Sequence, residues 1–300
     1  MEIIKPGTNF NFVRFFKVAY LLSVFLIVVG LASFWYRGGP NYGVDFAGGT
    51  VVHVKFSQPT DIGDIRGALE SSQIAGVTVQ DFGQTRDEFL IRMPTVGEGM
   101  ESLSNTIKQG LVEKFGEQAF EIRRVETVGP KVGSDLRRKA LLALLAATLM
   151  MGGYLAFRFE PRFGLGAALA LIHDVLISAG VLSLTNTEFD LTIVAALLTV
   201  VGFSVNDTVI ICDRIRENMR KMRRESLVEI VNRSINETLS RTIITTGTAV
   251  LVILALFFLG GEVIHGFALT LLVGFTIGTY SSIYVASPVV VLLAKEGRRR

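Results

Sequence analysis

Cysteine, histidine and charge are all scarce in this sequence. The single cysteine, Cys212, excludes an internal disulfide framework; it sits where an apolar run meets a charged one and reads as a small filler. Three histidines, His53, His173 and His265, have no ligand-like spacing, so no metal site is read. Only 19% of the residues are charged while 50% are hydrophobic, a balance too apolar for one ordinary soluble domain. The glycine-rich GVDFAGGT at 43–50 lacks the Gly-Lys-Ser/Thr ending of a phosphate loop and leads into a strand. No feature supports hydrolysis, a bound cofactor or any other enzymatic activity. The net charge is only +3, and the one dense basic run, 214–224, reads as a membrane-flanking loop; contact with anionic lipid is open, and a nucleic-acid partner is not expected.

What the chain has instead is long apolar runs. The first, 18–36, can cross a hydrocarbon core of about 30 Å at about 1.5 Å per residue. A cleaved signal peptide is the competing reading, but the run is longer than a usual h-region and ends in Phe34, Trp35 and Tyr36, an interfacial belt. Five more spans are read at 140–157, 165–184, 191–212, 242–259 and 267–293, with a basic helical segment inside the longer linker 213–241. Positive charge falls on alternate loops: Lys5, Arg14 and Lys17; Arg158 and Arg162; Arg214, Arg216, Arg220, Lys221, Arg223, Arg224 and Arg233; and Lys295 with Arg298 to Arg300. Loops 185–190 and 260–266 hold no Lys or Arg, so both termini are expected in the cytoplasm. Phe10, Phe12, Phe15 and Phe16 fall at the interface before the first span. The division that follows is a cytoplasmic segment 1–17, a first span 18–36, a periplasmic domain 37–138, five spans within 139–293 and a basic tail 294–300.

Residues 37–138 read as a folded domain. Strands are expected at 51–56, 77–82, 88–93 and 119–125, and helices at 60–70 and 97–115, with Leu103, Ile107 and Leu111 on one face of the second and a turn around Gly83. The order β-α-β-β-α-β is the ferredoxin-like pattern, an α+β domain inserted between spans one and two. Gly129, Pro130 and Gly133, where the domain rejoins span two, are one hinge candidate; Gly48 and Gly49 are a second.

Polar residues inside the spans carry the functional reading. An ionised carboxylate in hydrocarbon costs about 2.5–3.5 kcal/mol on insertion scales and usually lines a pathway or pairs with a cation. Asn206 and Asp207 lie within the fourth span; Thr192, Thr199 and Asn206 recur every seven residues, a stripe expected to face the bundle. The fifth span opens at Arg241, continued on one face by Thr245 and Thr248, with Thr242 and Thr246 beside it. Asp207 and Arg241 fall in the same half of the membrane and can meet; a structural carboxylate and a snorkelling arginine are the alternatives. His173 and Asp174 in the third span make a plausible proton-handling pair, against a hydrogen-bonded structural histidine. In the sixth span Gly266, Thr270, Gly274, Gly278 and Ser282 place one small residue every four, a packing stripe for another helix, in this chain or a partner.

The motifs GVDFAGGT (43–50), VGPKVG (128–133), FEPRFGLGAALALIHDVLISAG (159–180), EFDLTIVAALLTVVGFSVNDTVIICDRIREN (188–218) and SINETLSRTIITT (234–246) resemble the SecD/SecF family of protein-export membrane proteins, of the resistance-nodulation-division superfamily. Nearly the whole chain is covered, and the chain is similar to the smaller, SecF-type members. The resemblance implies a bacterial cytoplasmic-membrane translocase accessory subunit, paired with SecD as a heterodimer, associated with a SecY-type channel, and acting on a translocating unfolded polypeptide. It also implies a proton path through the carboxylate of FSVNDT, Asp207, and the arginine of LSRT, Arg241; Asp174, Thr245 and Thr246 carry over with them. The mechanism implied is coupling of the proton motive force to motion of the external domains. Two rivals stand beside it: an assembly factor whose buried charges only fix helix register, and an exporter of small molecules or lipids.

Overall fold

The computed structural model describes residues 8–70, 77–82, 87–93 and 100–297. Lys5, the turn at Gly83, the start of the helix read from Gly97, and Arg298 to Arg300 lie outside the described residues, as do the side chains of Leu103 and Lys295. The chain divides into two compact units, one of 1–41, 141–188 and 192–300, the other of 42–140 with 189–191.

Among the described residues, six helices are long and apolar enough to cross a membrane. They are α1 (Phe16–Tyr36), α5 (Pro130–Arg158), α6 (Pro161–Leu184), α7 (Leu191–Lys221), α8 (Leu227–Leu259), and a sixth that is broken in its course. That one runs as α9 (Glu262–Ser281), a π-helical turn Ser282–Ala286, and α10 (Ser287–Gly297). Pro288 explains the break. Its ring clashes with the carbonyl four residues back and it has no N–H, so the ladder widens by one residue before it. The hydroxyl of Ser287 donates to the Ser282 carbonyl at 2.9 Å and satisfies one of the released acceptors.

The long linker read between the fourth and fifth spans is shorter than expected. α7 continues to Lys221 and α8 begins at Leu227, leaving five residues between them. Ser226 starts α8 with a capping box: its hydroxyl accepts from the Glu229 amide, and Glu229 accepts from the Ser226 amide at 2.9 Å. The Lys221–Glu217 pair, 2.6 Å, supports the last turns of α7.

Small residues set the helix packing in this unit. Cβ atoms built on Gly30 of α1 and Gly180 of α6 would each come within 3 Å of the other's Cα, at 2.8 and 2.9 Å, and Ser33 bonds Ser183 at 2.9 Å nearby. Gly152 lets α5 lie against Ala168 of α6, and Gly164 lies against Ala156. Before α1, the chain is strapped to α8. Asn232 Oδ1 accepts from the Phe12 amide at 2.9 Å, and Asn236 Oδ1 from the Phe10 amide at 2.8 Å. Asn236 Nδ2 also donates to the Phe10 carbonyl at 2.9 Å.

The second unit contains α2 (Val44–Ala47), β1 (Gly49–Phe56), α3 (Ile62–Glu70), β2 (Thr78–Asp81), β3 (Glu88–Met93), α4 (Met100–Phe115), β4 (Phe120–Val128) and the first turns of α5. The strands form one antiparallel sheet in the order β2-β3-β1-β4. Strict alternation in β1 and β3 sends Val52, Val54, Phe56, Phe89, Ile91 and Met93 to one face. There they pack with Ile65 and Leu69 of α3 and Ile107 and Leu111 of α4 in one apolar core. The opposite face is charged: Glu88 receives Lys55 at 3.1 Å, Arg123 at 3.0 Å and lies 2.9 Å from His53 Nε2. Burial alone would push the Glu88 carboxyl up, but the bonds from Lys55 and His53 and the charge of Arg123 outweigh it and hold it below its ordinary value. Segment 189–191 joins this unit through Gly43 N–H to the Phe189 carbonyl, 2.8 Å, and Leu191 N–H to Asp45 Oδ2, 3.0 Å.

The two hinge candidates are one contact. Gly48 has φ +76°, a region that favours glycine, and a Cβ there would lie 2.9 Å from Pro130 Cα. A Cβ on Gly133 would meet the Phe46 carbonyl oxygen at 2.9 Å. Gly129 has open space around it, and Gly49, φ +122°, opens β1.

Candidate functional site

Two buried carboxylates organise the helical unit. Asp207 of α7 is 1% exposed. Its Oδ2 accepts from Thr279 of α9 at 3.0 Å and from Thr246 of α8 at 3.3 Å, and the two hydroxyls lie 2.8 Å apart. Its Oδ1 is buried with no hydrogen-bond partner among the described residues. The buried hydroxyl of Thr242, one turn from Thr246 on α8, is also unpartnered.

Arg241 is near enough to attract the Asp207 carboxylate electrostatically, but no ion pair joins them. It is exposed on this unit and has no hydrogen bond or ion pair among the described residues. The sequence reading that the two can meet is thus replaced by a looser arrangement, with threonine hydroxyls where a guanidinium was expected.

The stripe read on the fourth span also divides. Thr192, Thr199 and Asn206 are exposed, while Asp207 turns inward with Ser204 and Thr208. The reason is angular. Seven residues bring a helix almost back to the same face, whereas neighbours such as Asn206 and Asp207 differ by about 100°. On α8 the same split occurs: Thr246 and Thr242 are buried, Thr248 is exposed with Arg241, and Thr245 lies between. Thr199 and Asn206 of α7 and Arg241 and Thr248 of α8 are thus exposed polar residues of the unit.

Asp174 of α6 is fully buried and fully bonded. Oδ2 accepts from Ser204 of α7 at 2.6 Å and from Ser281 of α9 at 2.8 Å. Oδ1 lies 3.0 Å from His173 Nδ1, and the other ring nitrogen lies 3.0 Å from Ser23 Oγ of α1. Ser23 is 3.1 Å from the Tyr280 hydroxyl, which donates to the Ala19 carbonyl at 2.6 Å. The hydrogens can be counted along this line. With Tyr280 bonded to Ala19, a hydrogen between Ser23 and Tyr280 must come from Ser23. His173 Nε2 must then donate to Ser23. Every contact is filled when the Asp174–His173 couple holds one proton more than carboxylate plus neutral imidazole. Without it, either the Ser23–Tyr280 or the His173–Asp174 contact has no hydrogen, according to the tautomer of His173.

The small-residue stripe packs against α7 of the same chain. A Cβ on Gly266 would approach Ile193 at 3.3 Å, on Gly274 would collide with Val200 Cγ2, and on Gly278 would approach Ser204 Cβ at 3.0 Å; Ser282 bonds Thr208 at 2.8 Å. Thr270 lies fully buried in the same row and bonds back to the Gly266 carbonyl at 2.8 Å. The next residues round the helix bond the buried polar groups: Thr279 to Asp207, Tyr280 to Ser23 and Ser281 to Asp174. Sequence reasoning missed this segment. Its signal was the hydroxyl run Thr279-Tyr280-Ser281-Ser282 in an otherwise apolar span.

A membrane protein with six apolar candidate spans, two buried carboxylates and one α+β unit among the described residues is the class these features define. The chain matches the family model for the C-terminal region of the SecD/SecF protein-export membrane proteins over residues 107–296, and the SecD/SecF GG motif over 38–60. It is 48% identical to the protein translocase subunit SecF of Magnetococcus marinus, covering 100% of this chain and 97% of the relative. It is 43% identical to that of Escherichia coli O157:H7, covering 97% and 89%. A crystal structure of SecDF, a translocon-associated membrane protein from Thermus thermophilus, superposes with a TM-score of 0.84 at 37% identity, covering 96% of this chain and 39% of that one. A second SecDF structure, in a super-membrane-facing form, gives 0.70 at 38% identity over 100% and 40%. The chain thus spans about two fifths of those SecDF chains. It belongs to the SecD/SecF family of protein-export membrane proteins.

Proposed function

We propose that this chain is an accessory subunit of the bacterial Sec protein translocase, working in the cytoplasmic membrane as a heterodimer with SecD beside a SecY-type channel. In this reading it uses the proton motive force to assist late steps of polypeptide export. Both termini lie in the cytoplasm, and the β-α-β-β-α-β unit is a ferredoxin-like domain on the far side. The alternation of basic loops supports that orientation.

The observation that carries the proton reading is the half-satisfied Asp207. One oxygen takes two hydroxyl bonds while the other, buried, takes none. The free Oδ1 is where a proton adds without breaking either threonine bond. Protonation removes the charge that attracts Arg241 and so changes how Arg241 and the exposed Asn206 and Thr199 meet a partner. SecD is the partner that covers this polar side, since uncovered polar groups in lipid are costly. One elementary charge crossing 100 mV supplies about 2.3 kcal/mol, enough to bias a two-state element. Asp174 and Thr245 belong to the same path, and Gly48, Gly49, Gly129, Pro130 and Gly133 form the hinge through which the ferredoxin-like domain moves.

The test is proton flux through reconstituted SecD with this chain, alongside proton-stimulated export, for the native chain and Asp207→Asn. Loss of both, with the heterodimer intact, is the expected result. Unchanged gradient-dependent export in Asp207→Asn favours the assembly-factor reading instead, in which the threonine bonds to Asp207 only hold α7, α8 and α9 together.

A further inference from the structure

We propose that the end of the helical unit formed by Arg158, Phe159, Arg216 and Arg220 is a binding site for the phosphate headgroup of one anionic phospholipid, with its acyl chain along α5. The site is built from three observations.

First, two guanidinium groups from different helices converge on one ring. Arg158, last residue of α5, lies 5.3 Å from the Phe159 centroid, and Arg216 of α7 lies 6.0 Å from it. Stacking on an aromatic ring orients a guanidinium while leaving its N–H groups free to bond.

Second, neither arginine has a carboxylate partner among the described residues. Two nearby acidic residues are taken: Glu160 pairs with Arg162 at 2.8 Å, and Glu217 is shared by Arg214 at 2.9 Å and Lys221 at 2.6 Å; Asp213, three residues before Arg216, makes no ion pair among the described residues. Arg220, one turn beyond Arg216 on the same face of α7, is exposed and also unpaired among the described residues. The opposite arrangement holds for Arg214 and Arg233, which are both paired. What sets the Phe159 corner apart from other unpaired arginines, such as Arg223 and Arg224, is that two guanidinium groups converge there on one ring.

Third, an apolar track leads to that corner. Met150, Tyr154 and Phe157 recur at helical spacing on α5 and are 67%, 57% and 92% exposed. The track ends at Arg158. A free phosphate ion has no use for the track, and a nucleic acid none for a binding face that runs along a spanning helix. A lipid with an anionic headgroup fits both parts, and basic pockets between spanning helices take such headgroups. The inference needs only that these helices cross a membrane; it is independent of proton coupling.

The test is native mass spectrometry of the full chain, delipidated in detergent and titrated with phosphatidylglycerol, phosphatidylcholine or inorganic phosphate. Variants are Arg158→Gln/Arg216→Gln, and as a charge-matched control Arg223→Gln/Arg224→Gln in the α7–α8 turn. Expected is one retained phosphatidylglycerol, affinity reduced on the order of tenfold in Arg158→Gln/Arg216→Gln, and little change in the control. Circular dichroism and size-exclusion elution establish that each variant is folded; Arg158→Lys/Arg216→Lys replaces the glutamine pair if that pair misfolds, and an affinity loss is again expected because lysine lacks the stacked planar fork. Equal retention of phosphatidylcholine overturns the proposal, as does displacement of the lipid by millimolar phosphate. An equal loss in the control also overturns it, since that is general charge attraction without a site.

Discussion

Thr279 and Asp207 are joined across α9 and α7 by a 3.0 Å bond to a carboxylate whose other oxygen is unbonded. Thr279 is therefore the stronger of the two hydroxyl clamps, since Thr246 stands at 3.3 Å. Thr279→Val keeps the shape and removes the donor. Hydrogen bonds between spanning helices average about 0.6 kcal/mol, so Thr279→Val is expected to lower unfolding stability in detergent by about that much. Thr246→Val is expected to cost less. A drop of several kcal/mol in either assigns the threonines a larger structural part than this geometry gives them.

Gly274 faces Val200 so closely that a methyl group cannot fit without movement. Gly274→Ala is expected to destabilise by about 1–3 kcal/mol through overpacking. Val200→Ala in the same chain should recover most of that loss, because it removes the atoms that collide. A double-mutant cycle on thermal unfolding measures the coupling, and additive losses show that the contact is not where the harm arises.

Glu88 ties the stability of the sheet to pH. Its carboxyl is held below its ordinary 4.5 in the folded unit, so the stabilisation is fully present above that value and is lost as pH falls through the folded value. The partners Lys55 and Arg123 are part-exposed, which keeps the effect modest. Amide exchange of Val52 and Val54, corrected for intrinsic rates, should show protection falling in acid below about pH 4.5. Glu88→Gln should lower the neutral-pH protection and flatten the acid fall.

Asn232 and Asn236 hold the strap before α1 by its backbone. In Asn232→Ala/Asn236→Ala the Phe10 amide loses its acceptor and the Phe12 amide keeps only the Phe10 carbonyl at 3.1 Å. Each bond is worth about 1 kcal/mol net, so exchange of those two amides should accelerate about fivefold. The aromatic contact of Phe16 with Tyr284, centroids 6.2 Å apart, keeps α1 itself in place, so its exchange should change little.

The soluble unit was largely legible because its physics is local. Alternation along Val51 to Phe56 and Glu88 to Met93 and the spacing of Ile62, Ile65 and Leu69 each name one buried face, and those faces meet. In the spanning helices the rule weakens, since lipid and core both accept leucine and only polar residues carry direction. Asp207 and Asp174 could be found that way. Their partners Thr279, Ser281 and Ser204 could not, because a lone hydroxyl is satisfied by its own helix, as Thr199 is by the Ala195 carbonyl at 2.8 Å. The outward turn of Thr199 and Asn206 was misread for a related reason: a chain built to be covered by another has two polar directions, and one sequence shows only their sum.

The matched contacts between α7 and α9 have a mechanical consequence. Gly274 with Val200, Gly278 with Ser204 and Ser282 with Thr208 keep step, one rung per turn. Sliding α9 by a fraction of a turn drives a side chain of α7 out of its notch and into a backbone ridge. The next position that fits is a whole turn away, about 5.4 Å. Axial motion at this seam is therefore indexed, like a detent, and the bonds of Thr279 to Asp207 and Ser281 to Asp174 release and re-form together rather than by degrees.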